Sequence, residues 1–211
     1  MTIRSVPRRL TIRPARTAEE IDAVLRGRHR VYCEESTYLP RTPDGRILDR
    51  FDAYPDTTVH VLAEVDGSVV GGVRFCRQAQ RIGLPVDEFF DFTPHVRTSD
   101  RLACGGMLFV TRAAGRNGIG TELIRVGEDY AARWAASVLV GTVNPTIEPL
   151  FGLLGYRPVG HPDRHGNGLP FVPVVKRLEE VGIHRVGAGG HSDADTVEAR
   201  RPRPSRRPAG Q

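Results

Sequence analysis

Residues 107–123, MLFVTRAAGRNGIGTEL, constrain the fold of this chain more than any other stretch. Met107 to Val110 is a short apolar run of strand type. Gly115, Gly118 and Gly120 follow, and Thr121-Glu122-Leu123 opens a helical pattern. Glycine lets a backbone approach a ligand closely because no Cβ intervenes. A helix start presents unpaired N–H groups and favours anions. A strand, a glycine turn and a helix in that order therefore predict a mixed α/β chain with a pyrophosphate-binding turn.

Spacing separates this turn from other phosphate binders. A Walker loop ends in Gly-Lys-Ser/Thr, and no Lys stands here. A Rossmann turn reads G-x-G-x-x-G, whereas the order here is G-x-x-G-x-G. The segment resembles the acyl-CoA loop of the GNAT acyltransferase superfamily, Arg/Gln-x-x-Gly-x-Gly/Ala. Gly118 and Gly120 match its small positions, Gly115 stands where Arg or Gln is usual, and Arg116 comes one place late. The resemblance implies that Val110, Arg112, Gly115, Arg116, Asn117, Gly118, Ile119, Gly120 and Thr121 hold the acyl donor.

Composition sets the remaining bounds. The 211 residues suffice for one good core with tails, and 39% hydrophobic with 26% charged residues match a soluble globular protein. No apolar run is long enough to span a bilayer, and the N-terminus lacks the apolar centre of a signal peptide. Cys33, Cys76 and Cys104 are scattered, forming neither a disulfide framework nor a metal cluster, so no metal and a reducing, cytoplasmic setting are expected. The net charge of +5 is misleading, because residues 1–16 contribute +5 and residues 182–211 contribute +3, which leaves −3 for the middle. An acidic core argues against a nucleic-acid-binding fold. One Lys against 29 Arg is a compositional bias. The Gly-, Pro- and charge-rich residues 182–211 are expected to be a disordered basic tail, and 1–7 an N-terminal arm.

Between those ends the patterning predicts one domain over residues 8–178. A strand at 10–13 precedes a helix that starts in a capping box at Thr17–Glu20 and runs to about 33. Strands at 59–65 and 68–75 join at Asp66-Gly67, a strong hairpin signal. A strand at 101–110, a helix at about 118–136, a strand at 138–143, a helix at 145–154 and strands at 156–159 and 171–176 complete the order. Antiparallel strands come first and helix-separated strands later, which excludes a doubly wound fold.

Residues 143–156, VNPTIEPLFGLLGY, resemble the late motif of the same superfamily, with Asn144, Phe151, Gly155 and Tyr156 at the matching positions. Asn144 joins the implied donor site. Many such enzymes carry a Tyr where Phe151 stands, and its phenol protonates the leaving thiolate. The N-terminal half narrows the likeness. Arg28 and Val31-Tyr32, then Asp49 and Asp52, then Arg74, then Arg101 resemble the order Arg-x-x-Val-aromatic, Asp-x-x-Asp, Gly-x-x-Arg and strand-start Arg. That order belongs to the acyl-homoserine lactone synthases and their relatives, the long-chain N-acyl amino acid synthases. Those synthases place an aromatic after the first helix, where the nearest residue here is Tyr38, and a Glu where Thr98 stands.

The resemblance implies a GNAT-type acyl-CoA N-acyltransferase fold, with a splayed central sheet flanked by helices. It also implies acyl transfer from a CoA or acyl-carrier-protein thioester to an amino-acid-like amine. Asp49, Asp52, Arg74 and Arg101 are its expected catalytic constellation, and Arg28 and Tyr32 its substrate contacts. The residues themselves leave two readings of the constellation. The carboxylates can receive an ammonium while an Arg clamps a carboxylate, or the Asp and Arg side chains can pair with one another and shape a loop. About two dozen residues between 77 and 101 are long for a connection without a function. Phe89, Phe90 and Phe92 there can line an acyl channel or staple the loop to the core. A plain acetyl-CoA-dependent acetyltransferase, with that loop merely structural, is the second function these residues allow. An inactive acyl-CoA-binding module is the third.

Overall fold

Thr17 caps the first helix as its sequence predicts. Its hydroxyl accepts from Glu20 N at 3.3 Å, and the Glu20 carboxylate reaches back to Thr17 N at 3.3 Å. Such a box contributes about 1 kcal/mol to the helix start. The computed structural model describes residues 9–115 and 117–178. The expected arm at 1–7, the tail at 182–211 and Arg116 lie outside the described residues. The chain divides into units Met1–Glu180 and Val181–Gln211, and the described residues all belong to the first.

The elements run β1 (Leu10–Pro14), α1 (Ala18–His29), β2 (Thr58–Val65), β3 (Ser68–Arg77), β4 (Leu102–Val110), α2 (Ile119–Arg133), β5 (Val138–Val143), α3 (Glu148–Leu153), β6 (Arg157–Pro158), β7 (Asp163–Arg164) and β8 (Pro170–Arg177). The strand order is β1-β2-β3-β4-β5-β8-β6, with β7 pairing β8. Asp66 and Gly67 both take positive φ, +50° and +80°, as a two-residue hairpin turn requires.

Three boundaries depart from expectation. The first helix continues past His29 as a π-helical turn, Arg30–Glu35, which is wider than an α-helical one. The third begins only at Glu148, because the Asn144 side chain accepts from Thr146 N at 2.9 Å and closes an Asx turn first. The penultimate strand shrinks to Arg157–Pro158, and the two-residue β7 precedes the last strand.

Helices cover both faces of the sheet. On one face Ile119, Leu123 and Ile124 of α2 pack on Val61, Val73 and Leu139. On the other, Val24 and Val31 meet Leu62 and Phe109, and Phe51, Leu84, Val86 and Phe92 cover Cys76, Cys104 and Val140. Among the described residues every strand pair is antiparallel except β4–β5. Those two run parallel for only three register positions, Leu102–Cys104 against Val138–Val140, and then diverge. The predicted splay of the two central strands is therefore present. No helix among the described residues is long and apolar enough to cross a membrane.

Candidate active site

The register explains the opening between β4 and β5. Gly72 pairs with Phe109 while Arg74 pairs with Gly106, so Val73 faces two residues, Met107 and Leu108. This is a β-bulge, and its extra residue is left out of the ladder. Met107 has φ +54°, a conformation uncommon outside glycine. Beyond Cys104 the β5-facing side of β4 has no ladder partner in β5, and its backbone edge borders the cleft.

A cavity of about 320 Å³ fills the splay. Its floor is apolar, made by Val73, Phe75, Ile124, Gly141, Phe151 and Val174. The Phe75 ring is fixed in a glycine slot, where a Cβ on Gly127 would lie 2.1 Å from it and one on Gly105 2.9 Å. A second cavity of about 410 Å³ adjoins, bordered by Asp49, Arg50, Arg74, Glu88 and Phe89. The two share Gly105, Gly106, Met107, Thr142 and His165. They therefore meet at the bulge.

At the far end of β4 lies the expected anion turn. Gly118 caps α2 with φ +72°, and Glu122 N is the first helix amide that reaches back, to Gly118 O at 3.1 Å. The amides of Ile119, Gly120 and Thr121 precede that bond and are left without intrahelical partners at the positive end of the helix. A Cβ at Gly118 would meet nothing within 4 Å, so its φ, not crowding, calls for glycine. Val110 ends β4 beside this turn. Arg112 is tied elsewhere: its guanidinium donates to Glu35 O and its backbone N to the Glu35 carboxylate, both at 2.7 Å. Asn117 donates to Ala114 O at 3.4 Å, and Asn144 borders the splay cavity.

The Asp and Arg residues pair with one another. Arg74 grips Asp49 bidentately at 2.5 and 2.8 Å and touches Asp52 at 3.0 Å. Arg28, with no exposed surface, contacts both Asp52 oxygens at 3.0 and 3.1 Å. Asp49 and Asp52 also cap the short 3₁₀ turn Arg50–Ala53, accepting from Phe51 N and Asp49 N. Burial opposes charge on Asp52, but Arg28 and Arg74 outweigh it and hold its carboxyl below the usual range. Asp52 is thus saturated and enclosed, and it cannot receive a substrate ammonium in this arrangement. Of the four, only Asp49 and Arg74 border either of the two cavities.

His60, which sequence reasoning missed, completes this cluster. It stands opposite Arg74 in the β2–β3 ladder, and its Nδ1 lies 3.0 Å from Arg28 Nη2. Because Arg28 can only donate, Nδ1 accepts, which leaves the proton on Nε2, 3.6 Å from Asp52. Its one sequence signal is alternation: Thr58 and His60 fall on the strand face that carries Arg74 and Cys76 across the hairpin. Burial and the neighbouring arginines push its pKa down to about 4. The unfolded chain takes up that proton near pH 6.5. His60 therefore stabilises the fold fully above about pH 6.5, and that contribution is lost as pH falls towards 4. Stability should drop by about 2 kcal/mol between pH 7 and pH 5 from this group. Urea titrations at the two pH values should show a clearly smaller drop in His60→Asn. An equal drop in both proteins would mean His60 is not the sensor.

Three expectations need correction. Arg101 lies outside both cavities, at the opposite end of β4. Its side chain is exposed and donates to Ala135 O, because the strand start points away from the bulge. Phe92 is 4% exposed and sits in the core with Phe90 packed edge-on against it, ring centroids 4.8 Å apart. These two staple the long connection, and of the three phenylalanines only Phe89 borders either of the two cavities described above. Tyr32 does reach the splay cavity, placed there by the π-helical turn. Its hydroxyl donates to Leu108 O at 2.5 Å, and Tyr38 stands on the same wall. Cys104 borders the second cavity, but burial drives its thiol well above the ordinary range, so it is a poor nucleophile.

An open sheet splayed at its one parallel pair, with a β4 bulge and a glycine-capped helix beyond, is the architecture of the GNAT acyltransferases. The N-acyl amino acid synthase FeeM family model matches residues 23–175, and the chain belongs to that family. It is an N-acyltransferase. Solved structures share the fold at low identity. FeeM itself, an N-acyl amino acid synthase from uncultured soil microbes, is 18% identical over 81% of this chain and 91% of its own, with a TM-score of 0.66. The CoA-dependent acyl-homoserine lactone synthase BjaI, solved with SAM and isopentyl-CoA, is 22% identical over 77% and 79%, at 0.61. An acyl-CoA N-acyltransferase from Pseudomonas aeruginosa is 19% identical over 80% and 99%, at 0.60. No curated protein sequence matches significantly.

Proposed function

We propose that the protein transfers an acyl group from a CoA thioester to the amine of an amino-acid-like acceptor. The observation that carries this is the meeting of two cavities at the β4 bulge, since an acyl transfer needs two substrates with their reacting atoms at one point. The splay cavity takes the acyl chain on the apolar surface of Phe75, Ile124 and Val174. The unpaired edge of β4 offers backbone groups to the amides of the pantetheine arm, as an exposed strand edge does to a peptide. The Gly118–Thr121 turn takes the pyrophosphate. The acceptor lies in the second cavity, between the Asp49–Arg74 pair and Arg50, which rests over the Phe51 ring at 4.6 Å. An acyl-carrier-protein donor would suit the same channel, without the nucleotide contacts.

Chemically, the acceptor amine attacks the thioester carbon. A bulge amide of Met107 or Leu108 stabilises the developing oxyanion, and holding both substrates at one junction supplies much of the rate. Phe151 has no proton to give the leaving thiolate. A thiol of ordinary pKa, about 8.5, is a fair leaving group, so a tyrosine at that position is not required.

Gly118→Glu tests the donor site. A side chain at φ +72° is strained, and its carboxylate would compete with the pyrophosphate for the same amides. Calorimetry with free CoA should show binding weakened at least about ten-fold while circular dichroism stays unchanged. Unaltered affinity in a folded variant would remove the turn from the site.

A further inference from the structure

The reaction must dispose of protons, and nearly every titratable group around the two cavities is committed elsewhere. Asp49 is gripped by Arg74, and Asp52 lies between Arg28 and Arg74. Glu88 pairs with Arg50 at 3.0 Å. The Tyr32 hydroxyl donates to a carbonyl, and burial pushes its pKa up to about 12. Burial raises the Tyr156 phenol as well. Of the five residues that border both cavities, Gly105, Gly106, Met107, Thr142 and His165, only His165 titrates near neutrality.

Its placement is built into the fold. His165 follows β7 in a tight hairpin, where its N–H donates to Leu169 O at 2.9 Å and its carbonyl accepts from Gly168 N at 2.7 Å. Its ring is held between two aromatic rings. Phe89 lies edge-on with centroids 4.5 Å apart, and Phe171 is tilted at 4.4 Å. The first of these contacts comes from the long connection between β3 and β4. Partial burial lowers the imidazole pKa, so the ring is a free base at neutral pH.

Resting on the acyl-transfer reading above, we propose that His165 is the proton carrier of the reaction, serving amine and thiolate from one position. The acceptor arrives as an ammonium. His165 takes its first proton and releases it to water, leaving the nitrogen lone pair free. The C–N bond then forms. The second proton passes from nitrogen to His165 and on to sulfur as the C–S bond breaks. The balance is ammonium plus thioester to amide, thiol and one proton, with no oxidant or further reactant. This supplies the proton that Phe151 lacks.

The test uses the full-length protein with octanoyl-CoA, reading thiol release, with two acceptors: a pool of L-amino acids, and hydroxylamine, whose amine is largely unprotonated at neutral pH. In His165→Gln and His165→Asn, transfer to the amino acids should fall about 100-fold. Transfer to hydroxylamine should fall several-fold less, because its nitrogen needs no initial deprotonation. Equal losses with both acceptors in both variants would make His165 a packing residue and overturn the proposal. Full activity in either variant would overturn it too. If the unsubstituted protein releases no thiol with any acceptor, the acyl-transfer reading falls and this role falls with it. An active parent with unaffected variants refutes only the role of His165.

Discussion

Asp52→Asn should cost about 3–5 kcal/mol of stability, the largest loss expected from any single substitution around the site. The asparagine is nearly isosteric, so packing is barely disturbed. What disappears is the one negative charge shared by two buried guanidiniums, Arg28 at 0% and Arg74 at 2% exposure. Arg74 keeps Asp49, but Arg28 is left with the neutral His60 and the Ile47 carbonyl. A buried cation without a counter-charge is far costlier than a missing hydrogen bond. Chemical denaturation at neutral pH should show the loss directly, and a double variant with Arg28→Met should recover part of it by removing the orphaned charge. A loss below about 1 kcal/mol would mean that water reaches the cluster.

Chain-length preference should be the largest kinetic effect. The apolar floor of the splay cavity makes each buried methylene worth about 0.8 kcal/mol, close to a factor of four. Octanoyl-CoA adds six methylenes to acetyl-CoA, so its kcat/KM should be higher by up to the order of 10³. Gly141 borders this cavity, and a Cβ there would make only ordinary contacts, 3.5 Å to Gly105 O and 3.8 Å to Val174. Gly141→Leu should therefore plug the cavity without unfolding the sheet, reducing octanoyl transfer far more than acetyl transfer. Phe92→Ala makes the contrast. It opens the core by about 3–5 kcal/mol but should lower both donors alike, because Phe92 faces the core. A parent protein that prefers acetyl-CoA would instead favour the plain acetyltransferase reading.

The features legible in the sequence are those decided within a few residues. Thr17 and Glu20 mark a helix start because capping is a local exchange of hydrogen bonds. Asp66-Gly67 marks a hairpin because only certain residues accept positive φ twice in succession. Gly118 marks the turn into α2 because its φ of +72° suits glycine, and the strand before it with the helix after it followed from periodicity. The alternation that set Arg74 and Cys76 opposite Val73 and Phe75 was also local, and Val73 and Phe75 do pack in one core while Cys76 packs in the other.

Tertiary structure decided everything that depends on register and direction. Arg101 directly precedes β4, yet the length of that strand separates it from the bulge. Phe89 and Phe92 are three residues apart in one loop, yet one borders a cavity and the other fills the core, since an irregular segment has no period from which to read its faces. Asp49 and Asp52 were visible as a pair, but their partners Arg28 and Arg74 come from another helix and another strand. Whether carboxylate meets guanidinium or substrate depends on how closely those elements pack. His60 and His165 carried no motif at all. One joins the buried charges because the β2–β3 ladder sets it opposite Arg74, the other reaches the cavities because a late hairpin folds back over the splay, and neither relation exists until distant strands are in register.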